Sequence, residues 1–129
     1  MRFISSRAHG VLDYLTGVLL ILAPSVLGFT DAGVAAQVPM MLGVGTILYS
    51  LLTRYELGLV RVLPFGFHLT LDLLAGAFLA ASPWLLGFAD RVWAPHLLVG
   101  LFEVIASLST RRDTAYGHRP LRRPDAAAH

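Results

Sequence analysis

Charged residues are missing from three long windows of the chain, 14–30, 32–53 and 73–89, and Leu, Val, Ile, Ala, Phe and Gly fill most of each. A helix needs about 20 apolar residues to cross the roughly 30 Å hydrocarbon layer of a bilayer. The pattern predicts four spans, at about 8–29, 35–53, 64–86 and 93–110. The polar and small residues inside them are not scattered. His9, Asp13, Gly17, Pro24 and Gly28 fall on one face of the first span, and His68, Asp72, Gly76, Pro83 and Gly87 repeat that stripe in the third. Pro39, Gly43, Thr46 and Ser50 align in the second span, as do His96, Gly100, Glu103 and Ser107 in the fourth. Lipid offers such groups no partners, and small residues admit close helix approach, so the four stripes are expected to converge inside a bundle.

The stripes recur because the chain does. Residues 9–31, "HGVLDYLTGVLLILAPSVLGFTD", and 68–90, "HLTLDLLAGAFLAASPWLLGFAD", share eleven of 23 positions without a gap, and "GVGTILYSLLTR" at 43–54 is matched by "GLFEVIASLSTR" at 100–111. Each copy, about 8–54 and 64–111, is one helical hairpin. A hairpin crosses twice, so both copies start on the same side: two tandem parallel repeats about a pseudo-twofold axis along the membrane normal. The expected fold is an all-α membrane protein of four transmembrane helices in one domain, residues 1–111, followed by a basic tail at 112–129.

Composition agrees with that reading and adds an orientation. Hydrophobic residues make up 56% of the 129 and charged residues 14%, well below the quarter of a soluble domain. There is no cysteine, which excludes disulfides and thiolate metal sites. All ten basic residues are Arg, and nine lie in the N-terminal stretch, the "RYELGLVR" connection or the tail, with only Arg91 in the other two loops. The arginine bias predicts cytoplasmic termini and outward "GF-x-D" loops, with Arg2 and Arg7 preceding a retained first span rather than a cleaved signal. The arginines flank apolar segments instead of forming an aromatic-interleaved surface, so no nucleic-acid partner is expected. The expected partners are the lipid bilayer and either a second copy or another membrane protein.

The phrase "SPWLLGFAD" closes the third span. Pro24 and Pro83 are expected to kink or restart their helices, Ser82 to cap a restarted helix, Gly28 and Gly87 to end helices in a left-handed conformation, and Trp84 to lie in the headgroup belt. This doubled hairpin with its Ser82-Pro83-Trp84 group resembles the SPW-repeat family of small bacterial integral membrane proteins. The resemblance covers residues 9–111, with Ala23-Pro24-Ser25 standing in the first copy where the second has the tripeptide. It implies a four-span fold and a bacterial cytoplasmic membrane location, and it implies no mechanism.

Candidate chemistry is confined to the stripes. Asp13, Asp72 and Glu103 interrupt apolar helices, and an intramembrane acid costs several kcal/mol unless it is protonated, paired or wetted. His9 and Asp13, like His68 and Asp72, stand four residues apart on one face, so either pair can close the cytoplasmic end of its own hairpin. Glu103 aligns with Thr46; it is either a neutral carboxyl held by Ser107 or His68, or one member of a relay with Asp72 and His68.

Three classes of function fit. The first, favoured because four short spans leave little room for a large substrate cavity, is a structural or accessory module with polar stripes as packing glue and no cofactor or metal. The second is a small transporter or proton pathway using His9, Asp13, His68, Asp72 and Glu103. The third is a haem or metal protein with ligands His9 and His68. No HExxH, GxSxG or phosphate loop is present, so no catalytic residue is assigned and no enzyme is expected.

Overall fold

The computed structural model describes residues 1–116, and the apolar windows form four α-helices: α1 (Ser6–Val26), α2 (Val34–Leu51), α3 (Phe65–Leu85) and α4 (Ala94–Ser109). Three of these are long and apolar enough to cross a membrane; α4, at 16 residues, is a shorter apolar helix. Helix ends fall within three residues of the expected ones. The rest of the basic tail, 117–129, lies outside the described residues.

Local chemistry sets the ends. The Ser5 hydroxyl accepts the Ala8 N–H at 3.2 Å and caps α1. Gly28 and Gly87 end α1 and α3 at φ 74° and 75°, a left-handed turn that costs glycine nothing. There the N–H of Phe29 reaches the Pro24 carbonyl, and that of Phe88 the Pro83 carbonyl, both at 2.8 Å. The expected helix restart at the prolines is corrected: α1 and α3 run through Pro24 and Pro83 for two further residues before the glycine turn. Ser82 is correspondingly not a cap. Its hydroxyl donates back to the Leu79 carbonyl at 2.7 Å, inside a continuous helix.

The stripes face inward. His9, Asp13, Gly17 and Pro24 of α1, their α3 counterparts, and the polar stripes of α2 and α4 are buried, whereas Gly28 and Gly87 at the helix ends are exposed. Outward positions such as Leu15, Leu74, Leu98 and Ile105 are more than 60% exposed, an apolar surface that suits lipid. Within each hairpin the helices cross at glycine. A Cβ on Gly43 would stand 2.5 Å from the Gly17 carbonyl oxygen, and one on Gly100 2.6 Å from that of Gly76. Helix α1 therefore packs chiefly on α2, and α3 on α4; between the hairpins the backbones come near one another where α2 passes α3 and α1 passes α4.

The two halves are tied at the arginine-rich end by matching backbone bonds. Residues leading into α1 join the end of α4, with Ile4 N–H to Ser109 O at 3.0 Å and Arg111 N–H to Ile4 O at 2.9 Å. Residues leading into α3 join the end of α2 in the same way, with Leu63 N–H to Leu52 O and Arg54 N–H to Leu63 O, both at 2.8 Å. Each half thus holds the other's exit, which brings Thr110 beside α1 and Thr53 beside α3. Nearby, Glu56 accepts from the Ser6 hydroxyl at 2.8 and 2.9 Å and from the Ala115 N–H at 3.1 Å, and the Arg61 guanidinium stacks 3.9 Å from the Tyr116 ring centre. Burial pushes the Glu56 carboxyl up, but these hydrogen bonds, with one from its own backbone, and the Arg7 charge outweigh it and hold the group below its ordinary 4.5.

Candidate functional site

One turn or so inside the arginine-rich end, the two His–Asp pairs merge into a single buried quartet. His9 Nε2 lies 2.8 Å from Asp72 Oδ2, and His68 Nε2 lies 2.7 Å from Asp13 Oδ2, so the shortest contacts run between hairpins. The contacts within each helix are longer, 3.2 Å for His9–Asp13 and 3.1 Å for His68–Asp72. All four side chains are at most 1% exposed. The expectation that each pair closes its own hairpin is therefore corrected: the pairs cross over and join α1 to α3. Four-residue spacing puts His and Asp on one face, but an inward face on both helices lets each Asp reach the opposite ring.

Two threonines orient the imidazoles. Thr53 Oγ1 donates to the Tyr49 carbonyl at 2.6 Å, and Thr110 Oγ1 to the Ala106 carbonyl at 2.6 Å. A hydroxyl has one proton, so each oxygen is left as an acceptor. Thr53 Oγ1 meets His68 Nδ1 at 2.8 Å and Thr110 Oγ1 meets His9 Nδ1 at 2.9 Å. Both Nδ1 atoms are thereby assigned as N–H donors. Both Nε2 atoms then face carboxylate oxygens with whatever protons the quartet shares. Two protons shared over the four groups would satisfy both close contacts and leave the cluster neutral, the charge state an apolar bundle favours.

The carboxylates have hydroxyl partners too. Tyr49 donates its phenolic proton to Asp72 Oδ1, leaving Oδ2 to the two imidazoles, and Ser50 approaches Asp13 Oδ2 at 3.5 Å. Phe65 and Tyr55 cover the cluster, stacked at 5.5 Å with 16° between planes, and each ring lies within 5.6 Å of the His68 ring. Among the described residues the Tyr55 hydroxyl is buried without a hydrogen-bond partner; burial and then the Asp13 charge push its proton affinity up. Gly10 admits this tyrosine, since a Cβ there would overlap its ring and stand 2.9 Å from Leu57 Cδ1.

The other candidates lie apart from the quartet. Glu103 is 7% exposed and lines a cavity of about 10 Å³ with Thr46, Tyr49 and Gly76. Neither expected partner holds it: the Ser107 hydroxyl donates to the Leu69 carbonyl at 2.6 Å, and His68 is bound to Asp13 and Thr53. A hydrogen-bonded series from Asp72 through Tyr49 to Thr46, 3.3 Å from the Tyr49 oxygen, runs from the quartet to that cavity. Ser82, Pro83 and Trp84 close the opposite end of α3, with Trp84 half exposed beside Trp93 at 6.3 Å. Pro24 and Gly28 hold the equivalent place on α1. There, too, His96 Nε2 donates to the Ala35 carbonyl at 2.8 Å, and its Nδ1 is buried without a partner among the described residues.

Thr53, Thr110, Tyr49 and Tyr55 were not among the sequence candidates. The two threonines had a signal: both stand in the Thr-Arg pair that ends each copy of the repeat. The tyrosines had none, since Tyr49 aligns with Ala106 and Tyr55 lies in the connection. Haem between His9 and His68 does not fit. The rings are edge-to-face at 5.6 Å, and both Nε2 atoms are within 3.2 Å of intervening carboxylates, which leaves no width for a macrocycle.

Apolar membrane-crossing helices, paired as two hairpins around one polar quartet, define a small multi-helix membrane protein. The SPW repeat domain model matches residues 7–110, and the chain belongs to the SPW repeat family. No curated protein and no solved structure matches it.

Proposed function

We propose that the protein is a structural or accessory membrane module in which the quartet clasps two hairpins into one unit. It resides in the bacterial cytoplasmic membrane with both termini in the cytoplasm, and it associates through its exposed apolar faces with a second copy or another membrane protein. The observation that carries this reading is the crossed pairing, since His9–Asp72 and His68–Asp13 are the shorter contacts and span the seam between hairpins. Removing one partner of a buried charged pair costs about 3–5 kcal/mol, because the other is left unmatched in an apolar interior. On this reading the chain is not an enzyme. Asp72→Asn should unfold at much lower denaturant than the parent in detergent, while Asp31→Asn, which removes the exposed 3.2 Å bridge to Arg91, should not. Equal stability of the two variants would refute the clasp.

A second reading, a proton pathway, is supported by the Asp72–Tyr49–Thr46 series leading to the Glu103 cavity. A relay member must change charge, which glutamine cannot do. Proton flux in proteoliposomes that is lost in Glu103→Gln with the fold intact would support it, and no flux under any gradient would leave the clasp alone.

A further inference from the structure

We infer that the His9–Asp13–His68–Asp72 quartet binds one divalent transition-metal ion, zinc being the first candidate, through the two imidazole Nε2 atoms and an oxygen from each carboxylate. The inference rests on the clasp reading, because the ion would occupy the place of the two shared protons.

Four donor atoms, one from each residue, lie within 4.8 Å of one another. Two nitrogens and two oxygens are a donor set that zinc and its neighbours accept. The ring nitrogens are set correctly for this: both Nδ1 atoms are spent on threonine, so both Nε2 atoms face inward, and release of the two shared protons would free their lone pairs for an ion. A second hydrogen bond from the non-ligating nitrogen is the usual companion of a metal-bound histidine, and here each has one. Tyr49 similarly occupies Asp72 Oδ1 and leaves Oδ2 pointing at both rings.

Charge and size agree. Two neutral imidazoles and two carboxylates carry two negative charges, which one divalent ion cancels as two protons do. Around a tetrahedral zinc with bonds of 2.0–2.1 Å, ligand atoms stand about 3.3 Å apart. His9 Nε2 and His68 Nε2 stand 2.8 and 3.1 Å from the shared Asp72 Oδ2, and Asp13 meets His68 through Oδ2 at 2.7 Å and His9 through Oδ1 at 3.2 Å, so an ion between them requires the closest contacts to open by about half an ångström and Asp13 to present one oxygen.

The test uses the full chain purified in detergent without chelator. Elemental analysis should find close to one divalent transition metal per chain, or one zinc taken up after incubation with Zn2+ alone. Co2+ should give the strong visible bands of a four-coordinate N/O site. Chelator should lower the unfolding temperature and Zn2+ should restore it. Asp72→Asn should lose the metal, and Thr53→Val/Thr110→Val, which leaves all four ligands in place, should fold and bind Zn2+ about 10–100-fold more weakly. A parent chain that binds neither Zn2+ nor Co2+, with an unfolding temperature indifferent to metal and chelator, overturns the metal site. If Asp72→Asn is still strongly destabilised in that case, the clasp stands on protons alone, so the two failures are distinguishable. Zn2+ affinity unchanged in the double threonine variant would also overturn the assignment.

Discussion

Replacing Thr53 with valine tests the central feature of the site, the hydroxyl that is committed twice. Valine keeps the branched shape and loses two bonds: Oγ1 to the Tyr49 carbonyl at 2.6 Å and the acceptor for His68 Nδ1 at 2.8 Å. Thr70 separates them. Its hydroxyl makes the same backward bond, to the Gly66 carbonyl at 3.1 Å, on an exposed face, with no histidine hydrogen-bonded to it among the described residues. Thr70→Val should therefore change stability by no more than about 0.5 kcal/mol. Thr53→Val leaves an N–H of a fully buried imidazole without an acceptor, which costs about 1–3 kcal/mol. Thr110→Val should cost a similar amount through His9, and since both act on one quartet the double variant should depart from additivity by about 0.5 kcal/mol or more. Reversible unfolding in mixed micelles, followed by far-ultraviolet circular dichroism, measures all four variants. If Thr53→Val is no more costly than Thr70→Val, the imidazole is not held through Nδ1 and the assignment of both rings falls.

The remaining predictions concern packing, pH and orientation. Gly43→Ala and Gly100→Ala should each destabilise by about 1–3 kcal/mol because the new methyl meets a backbone carbonyl, whereas Gly45→Ala, with nothing within 4 Å, should be neutral or gain up to about 1 kcal/mol of helix propensity. Denaturant titration of the three proteins decides it. Glu56 binds its proton less readily folded than unfolded, so its contribution is present above the ordinary 4.5 and is lost as pH falls through the lower folded value. The parent should lose stability in that acid range more steeply than Glu56→Gln, by a modest margin for a group so near the surface. A periplasm-dependent reporter fused after His129 should be silent and one fused after Asp90 active; the reverse would overturn the arginine-based orientation.

Much of this architecture was legible before any coordinates, and for a physical reason. Charge-free windows and stripes at helical spacing are local properties, and the insolubility of backbone and charge in lipid turns them into spans with an inward face. The repeat carried the hairpin order, and the glycines at 17, 43, 76 and 100 marked where helices come close. The four quartet residues were also visible, because an acid in an apolar helix has to be matched. Their partners were not. Spacing of four residues makes His9–Asp13 and His68–Asp72 neighbours along each helix, yet the contacts across the hairpins, between α1 and α3, are the shorter ones. Ser82 shows the same limit: its position before a proline suits a cap, but a continuous α3 bent its hydroxyl back to Leu79. Thr53 and Thr110 reach the histidines only because each half's lead-in segment pairs with the other half's last helix, bringing together His9 and Thr110, 101 residues apart in sequence. No local pattern encodes that distance, so the fold came from short-range chemistry and the site from how the two hairpins close on each other.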